Sequence, residues 1–282
     1  MRTISHFING QSVTRAGAVT SPVYDPSTGE VQARLEHGDA AILAEAVAVA
    51  KAAQPTWAAM NPLRRVRVLF KFKEERMQEL VHLMSSEHGK LLDDSNGELQ
   101  RGLDVVEFVC GVPHLQKGEF TQGAGPGINV YSIREPLGVV AGITPFNFPA
   151  MIPLWMLAPA IAVGNAFILK PSERTPSVAV RLAELALEAG VPPGILNIVH
   201  GGKDVGQAIT DHPDIKAVSF IGSTAVGKFV YARGAGNGKR MQCMGGAKNT
   251  ASSCPTLILT KSSRTSSPGP LAPPASGACP CR

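Results

Sequence analysis

From Gly138 onward, short apolar runs alternate with amphipathic stretches. The runs at 138–143, 165–169, 195–200, 217–221 and 239–244 have the length of strands. The stretches between them, 149–162, 176–190, 204–212 and 224–234, carry helical patterning. Strand–helix alternation with short connections predicts an α/β fold, a doubly wound parallel sheet covered on both faces. Ligands of such a sheet collect at the carboxyl ends of its strands. Upstream, residues 4–35 read as short strands with turns, as at Phe7-Ile8-Asn9-Gly10 and Asp25-Pro26-Ser27-Thr28-Gly29. Asp39 is placed to cap an Ala-rich helix that reaches Gln54. A longer helix over 63–88 gathers Val66, Leu69, Phe70, Met77, Leu80, Val81 and Met84 on one face, and a third covers 97–116.

Composition narrows the class. The chain has 282 residues, 44% apolar and 17% charged, as in a soluble globular protein with a sizeable core. Its net charge is +5, but Lys261, Arg264 and Arg282 supply three of those charges in a stretch, 250–282, that holds no acid. No Arg/Lys cluster with interleaved aromatics is present, so a nucleic-acid partner is not expected. Residues 136–169 carry no charged side chain. Pro145, Pro149, Pro153 and Pro159 nevertheless argue against one continuous membrane helix there. Met1–His6 has no apolar core before a small-residue cleavage site, and Cys110 and Cys243 are isolated. A cytoplasmic, reducing setting is therefore expected. Cys279-Pro280-Cys281 lacks metal-ligand partners at usable spacing.

The stretch 250–282 differs from the rest. Ser and Pro fill 13 of its 33 positions. It cannot bury enough apolar area to offset its ordering entropy and is expected to be disordered. An abrupt change of this kind favours a reading-frame shift over a natural linker.

Three motifs carry candidate chemistry. Ile143-Thr144-Pro145-Phe146-Asn147-Phe148-Pro149 holds an Asn in a proline-stiffened turn after a strand, suited to donate to a developing oxyanion; a plain turn residue is the alternative. Leu169-Lys170-Pro171-Ser172-Glu173 follows the next strand. Its Lys can donate to ribose oxygens and its Glu accept from ribose hydroxyls, or the two can form a solvated pair capping the helix at 176. Phe220-Ile221-Gly222-Ser223-Thr224-Ala225-Val226-Gly227 joins a strand to a helix start. Free N–H groups and the helix dipole make that start an anion site to which Ser223 can add a hydroxyl, although Ser is also an ordinary N-cap.

Over residues 4–249 these motifs resemble the NAD(P)-dependent aldehyde dehydrogenase superfamily. The run Gly245-Gly246-Ala247-Lys248-Asn249 is similar to its methylmalonate-semialdehyde dehydrogenase branch. The resemblance implies that Asn147 is the oxyanion donor, and that Lys170, Glu173, Arg174, Ser223 and the backbone around Thr144 and Phe146 line the site of NAD. It implies a Cys nucleophile, hydride transfer to NAD, and a thioester passed to coenzyme A in valine and thymine breakdown. No carboxylate follows Asp214, so the water-activating Glu of hydrolytic members has no counterpart. Arg101 is the candidate partner for the carboxylate of a small semialdehyde substrate, with a surface ion pair to Asp104 or Glu107 as its alternative.

The family's spacing from Asn147 to the nucleophile reaches the neighbourhood of Cys279, but the surroundings there do not match, and Pro280 alters the backbone beside it. The expectation is a cofactor-binding domain without its catalytic domain: an N-terminal part at 1–118, a hairpin of the family's oligomerisation ribbon at 119–136, an NAD-binding α/β core at 137–249, and the aberrant tail. Full-length members are expected to be tetramers. The rival readings are a non-catalytic NAD-binding protein that docks on a full-length relative, and a hydrolytic aldehyde dehydrogenase.

Overall fold

Five short strands open the chain: β1 (Arg2–Ile4), β2 (His6–Ile8), β3 (Gln11–Val13), β4 (Thr20–Tyr24) and β5 (Val31–Glu36). Helices α1 (Ala40–Ala59), α2 (Pro62–Glu74), α3 (Gln78–His88), α4 (Leu92–Cys110) and the one-turn α5 (Val112–Leu115) follow, then a hairpin of β6 (Phe120–Gly125) and β7 (Ile128–Tyr131). The strand–helix series is β8 (Val139–Ile143), α6 (Met151–Ala162), β9 (Ala166–Lys170), α7 (Ser177–Ala189), β10 (Leu196–Ile198), α8 (Lys203–Asp211), β11 (Ile215–Ile221), α9 (Thr224–Gly236) and β12 (Arg240–Met244). This computed structural model describes residues 1–74 and 78–246, of which Met1–Gly245 form one unit. Met77 and the whole of 250–282 lie outside the described residues.

A seven-stranded sheet in the order β12-β11-β8-β9-β10-β2-β3 organises the core, beside a small sheet β1-β5-β4. Strands β8 to β12 are mutually parallel where they pair, as the alternation predicts. The sheet as a whole is mixed, because β2 joins β10 antiparallel and β3 joins β2. A tight turn makes this addition possible. Asn9 and Gly10 both have positive φ (55° and 75°), the conformation of a two-residue hairpin turn. The Asn9 N–H then donates to Asn197 Oδ1 at 3.0 Å, fastening the hairpin to β10.

Strands β8 and β9 are buried at every position, which suits the near-continuous apolar runs of a sheet covered on two sides. Helices α6 and α7 pack on the sheet and against α2, whereas α1, α8 and α9 form a second group in contact with it. Right-handed crossovers place these groups on opposite faces.

Three helices depart from the sequence pattern. Asp39 caps α1 as expected, accepting from Ala41 and Ile42 N–H, but the helix runs past Pro55 to Ala59. Tertiary anchoring outweighs the proline: buried Trp57 donates its indole N–H to Ile161 O at 2.9 Å. On α2 the inward positions are Arg65, Val66, Leu69 and Phe72, so Phe70, 48% exposed, leaves the predicted face. α4 starts at Leu92, where Asp93 and Asp94 complement the helix dipole, and stops at Gly111 with α5 beyond it.

Arg65 joins α1 to α6. Its side chain is 3% exposed and donates to the carbonyls of Ala162 (3.0 Å), Ala58 (2.9 Å) and Met60, with Trp57 O at 3.4 Å. One guanidinium thus serves the carboxyl ends of two helices, where cations are favoured. Arg65→Met should lower unfolding stability by about 3 kcal/mol, because several buried carbonyls lose their donor together. Urea titration measures this, and a change within about 0.5 kcal/mol would contradict it.

Candidate functional site

The strand order fixes where a ligand can bind. Beside β8, the first strand of the parallel set, β9 and β10 lie on one side and β11 and β12 on the other. The chain therefore reverses its winding at β8/β11, the point at which folds of this kind bind ligands outside the carboxyl ends of the strands. Register sets Ile143 beside Lys170 and beside Phe220, and Phe220 beside Cys243. Consequently Thr144–Asn147, Lys170–Arg174 and Gly222–Ser223 leave the sheet along one edge, about 4.8 Å apart per strand.

Within that edge, Lys170 is 7% exposed and donates to Glu173 Oε1 at 2.8 Å and to Pro171 O at 2.9 Å. The pair is neither fully solvated nor the cap of α7. That helix start is served by Glu87, which accepts from Ser177 N–H at 3.0 Å. Thr144 N–H donates to Lys170 O at 3.1 Å, and the buried Thr144 Oγ1 has no hydrogen-bond partner among the described residues. Exposed Phe146 lies under the Arg174 guanidinium, 4.8 Å from the ring centroid, and stacks with His88. Glu173 and Arg174 also line a surface cleft of about 360 Å3 with Tyr24, Pro26 and Glu87. A larger depression of about 650 Å3, around Gln54, Met60, Gln116 and Arg134, contains none of the predicted site residues.

Ser223 is the N-cap of α9, accepting from Val226 N–H at 3.4 Å. Capping leaves its hydroxyl proton free to donate outward, so the local and ligand-binding roles coexist. Gly222 lets Phe220 pack against this corner: a Cβ there would meet the Phe220 ring at 2.6 Å. Asn147 is exposed, and its side-chain amide makes no hydrogen bond among the described residues, while its carbonyl accepts from Lys90 Nζ at 3.1 Å. Arg101, half-buried on α4, is not brought into this cluster by any contact. Its alternative ion pairs are taken: Gln100 holds Asp104 at 2.8 Å, and Lys73 holds Glu107. Among the described residues its guanidinium has no ion-pair partner.

Sequence reasoning passed over four buried groups at this edge: Glu87, Glu98, His6 and His200. Glu98 could have been found as a carboxylate in helical register with the buried Ser95, Leu99 and Gly102. The histidines leave no such signal, since they meet only through the pairing of β2 with β10. Their rings stack at 5.7 Å, and His200 N–H donates to His6 Nδ1 at 3.1 Å. Burial, then neighbouring His37 and Arg15, lowers His6 to about 4, and burial, then His6 and Lys170, lowers His200 to about 3. Burial raises both described thiols, Cys110 and Cys243, away from the reactive thiolate. No group of three or more metal-ligating side chains occurs among the described residues, and no described helix is long and apolar enough to cross a membrane.

An α/β sheet whose strand order reverses at β8/β11, with a Ser-capped helix start and a Lys–Glu pair along the same edge, has the form of a nucleotide-binding fold. The chain matches the aldehyde dehydrogenase family over residues 13–256 and belongs to it. It is 48% identical over 254 residues to the malonate-semialdehyde dehydrogenase of Pseudomonas aeruginosa, covering 89% of this chain and 51% of that protein. A crystal structure from Sinorhizobium meliloti, assigned as a methylmalonate-semialdehyde dehydrogenase and complexed with NAD, superimposes with a TM-score of 0.86 at 60% identity. It covers 88% of this chain and 51% of that one. The methylmalonate-semialdehyde dehydrogenase of Oceanimonas doudoroffii gives the same TM-score of 0.86 at 48% identity, with 88% and 51% coverage. The chain thus spans about half the length of the relatives it matches.

Because His6 and His200 stay neutral in the fold, the unfolded chain binds protons first as pH falls below about 6.5. Stability should drop by up to about 1.4 kcal/mol per pH unit for each ring, down to about pH 4 for His6 and about pH 3 for His200. Glu87, raised by burial, titrates with the opposite slope. The diagnostic is therefore the difference from His6→Asn, which keeps an acceptor near Nδ1. Urea unfolding between pH 7 and 4.5 should show a shallower loss in that variant, and equal slopes would contradict the assignment.

Proposed function

We propose that this chain supplies the NAD-binding half of an enzyme that oxidises malonate or methylmalonate semialdehyde. The observation that carries this reading is the reversal of strand order at β8/β11, which brings the Asn147 turn, the Lys170–Glu173 pair and the α9 start to one edge of the sheet. The residues present fit a dinucleotide. Thr144 Oγ1 offers a buried hydroxyl without a partner among the described residues. Ser223 and the first N–H groups of α9 would hold the pyrophosphate, and Lys170 with Glu173 the adenosine ribose. When bound, NAD supplies the hydride acceptor.

Asn147 would donate its side-chain amide to the oxyanion formed when a thiolate adds to the aldehyde. That thiolate must come from a residue other than Cys110 or Cys243, both held neutral by burial. The lack of any carboxylate after Asp214 supports acyl transfer to coenzyme A rather than to water, with propionyl- or acetyl-coenzyme A as product in valine and thymine breakdown. Arg101, free of Asp104 and Glu107, would meet the substrate carboxylate. The unpaired thiols Cys110 and Cys243 support a reducing, cytoplasmic setting. The hairpin β6–β7, with Phe120, Ile128, Val130 and Tyr131 exposed, would serve in subunit association.

Calorimetry should detect NAD binding to the chain, and Glu173→Ala should weaken it by about 10-fold or more, as expected for loss of a charge-assisted hydrogen bond. Arg101→Met should leave NAD affinity unchanged. Absence of NAD binding by the folded wild-type chain would overturn the reading.

A further inference from the structure

The turn that carries Asn147 is held from a distance. α6 begins at Met151 after Ala150, and no side chain near its start in sequence caps it. Its first N–H groups turn instead to Glu98 of α4. Glu98 Oε1 accepts from Ala150 N–H at 2.8 Å and from Met151 N–H at 3.1 Å, and the residue is 0% exposed. The second carboxylate oxygen is taken by Lys90, from the α3–α4 connection, whose side chain is 9% exposed. The same ammonium donates to Asn147 O at 3.1 Å and lies 4.9 Å from the Phe148 ring centroid. Both backbone ends of the turn, the carbonyl of Asn147 and the N–H groups at 150–151, are thus fastened to one buried ion pair.

An ion pair so removed from water is a weak source of net stability. Its geometry suits a different task. Carbonyl 147 is the main-chain group adjoining the residue whose side-chain amide must point into the crevice. Fixing that carbonyl and the peptides three and four residues later leaves the turn little freedom to rotate. Losing either partner removes the clamp and leaves the other charge buried alone.

We propose that Lys90 and Glu98 are positioning residues for the Asn147 amide, acting through the turn and the start of α6. The proposal rests on Asn147 being the oxyanion donor, and it assigns the pair no contact with substrate or NAD. Misplacement of a reacting group by about 1 Å costs on the order of 100-fold in rate, so a clamp on this turn bears directly on catalysis.

The test reads the turn itself. In the isotopically labelled full chain, backbone amide order parameters of residues 146, 147 and 148 are measured by NMR for wild type, Lys90→Met, Lys90→Arg and Glu98→Gln. Lys90→Met should lower them from about 0.85 to below about 0.6 and shift the Asn147 side-chain amide signals, with β12 and α9 unchanged. Lys90→Arg, which can still bridge carboxylate and carbonyl, should restore both. Glu98→Gln keeps an acceptor for 150 and 151 but loses the charge, and should give an intermediate turn. An unaltered turn in Lys90→Met, loss of order spread evenly over the fold, or failure of Lys90→Arg to rescue would each overturn the proposal. Because the NMR readout uses no ligand, a wild-type chain that fails to bind NAD would sink the functional reading alone.

Discussion

Each helix that follows a parallel strand begins with N–H groups that have no partner inside the helix, and this deficit governs the cleft. At α6 it is met by Glu98 and at α7 by Glu87, two carboxylates buried in the helices that flank them. At α9 the cap is a single hydroxyl with one long contact to Val226 N–H. Of the four helices that follow parallel strands, α6 and α7 are thus met by buried carboxylates and α8 carries Asp204 in its first turn, so an added phosphate at any of these would meet a negative charge. The first turn of α9 holds no acidic residue. On the proposed reading, the protein's own carboxylates leave the β11–α9 corner as the helix start suited to an anionic ligand.

The same arrangement binds the N-terminal segment to the parallel-sheet core. Glu87 is drawn between burial, which raises its carboxyl, and Ser177 N–H and Arg2, which favour its charge. Arg2 also donates to Ser177 Oγ at 2.7 Å, so the residue that begins β1 reaches the start of α7. Further along, β2 and β3 cover the margin of β10 that would otherwise expose a row of unpaired backbone groups. The stacked His6 and His200 lie at that seam, which makes the junction sensitive to acid.

The parallel core was legible because buried strands leave continuous apolar runs, and each of the five runs became a strand within a few residues of its expected ends. The site motifs were legible because Asn, Lys-Glu and Gly-Ser lie at strand ends, where topology delivers them to one edge. Long-range partners were not. Nothing local tells that Glu98 caps a helix starting 53 residues later, that Trp57 and Arg65 carry α1 past Pro55, or that Phe72 outcompetes Phe70 for the interior. Those outcomes depend on which elements meet, and periodicity within one element is silent on that. The antiparallel strands β2 and β3 were read as strands but could not be assigned to a sheet, since three-residue segments have too little pattern to specify a partner.

The central strand and one margin of the large sheet show how burial writes itself into sequence. β9 reads Ala-Phe-Ile-Leu-Lys and is buried at every position, its final Lys neutralised by Glu173. β12 reads Arg-Met-Gln-Cys-Met and alternates exposed with half-buried positions. A shallow cavity of about 230 Å3 between α6, β11 and β12 is lined by Met156, Phe167 and Met241, and Arg240 and Gln242 also border it. Packing on the sheet therefore thins from β9 towards β12, and the ordering of the crevice must come from the β8 and β9 side. That is the side on which Lys90, Glu98 and Glu87 supply their buried charges. The turn after β8 thus leaves the best-packed strands of the fold, while the α9 start after β11 lies on the more open margin, which suits the oxyanion and phosphate roles proposed for them.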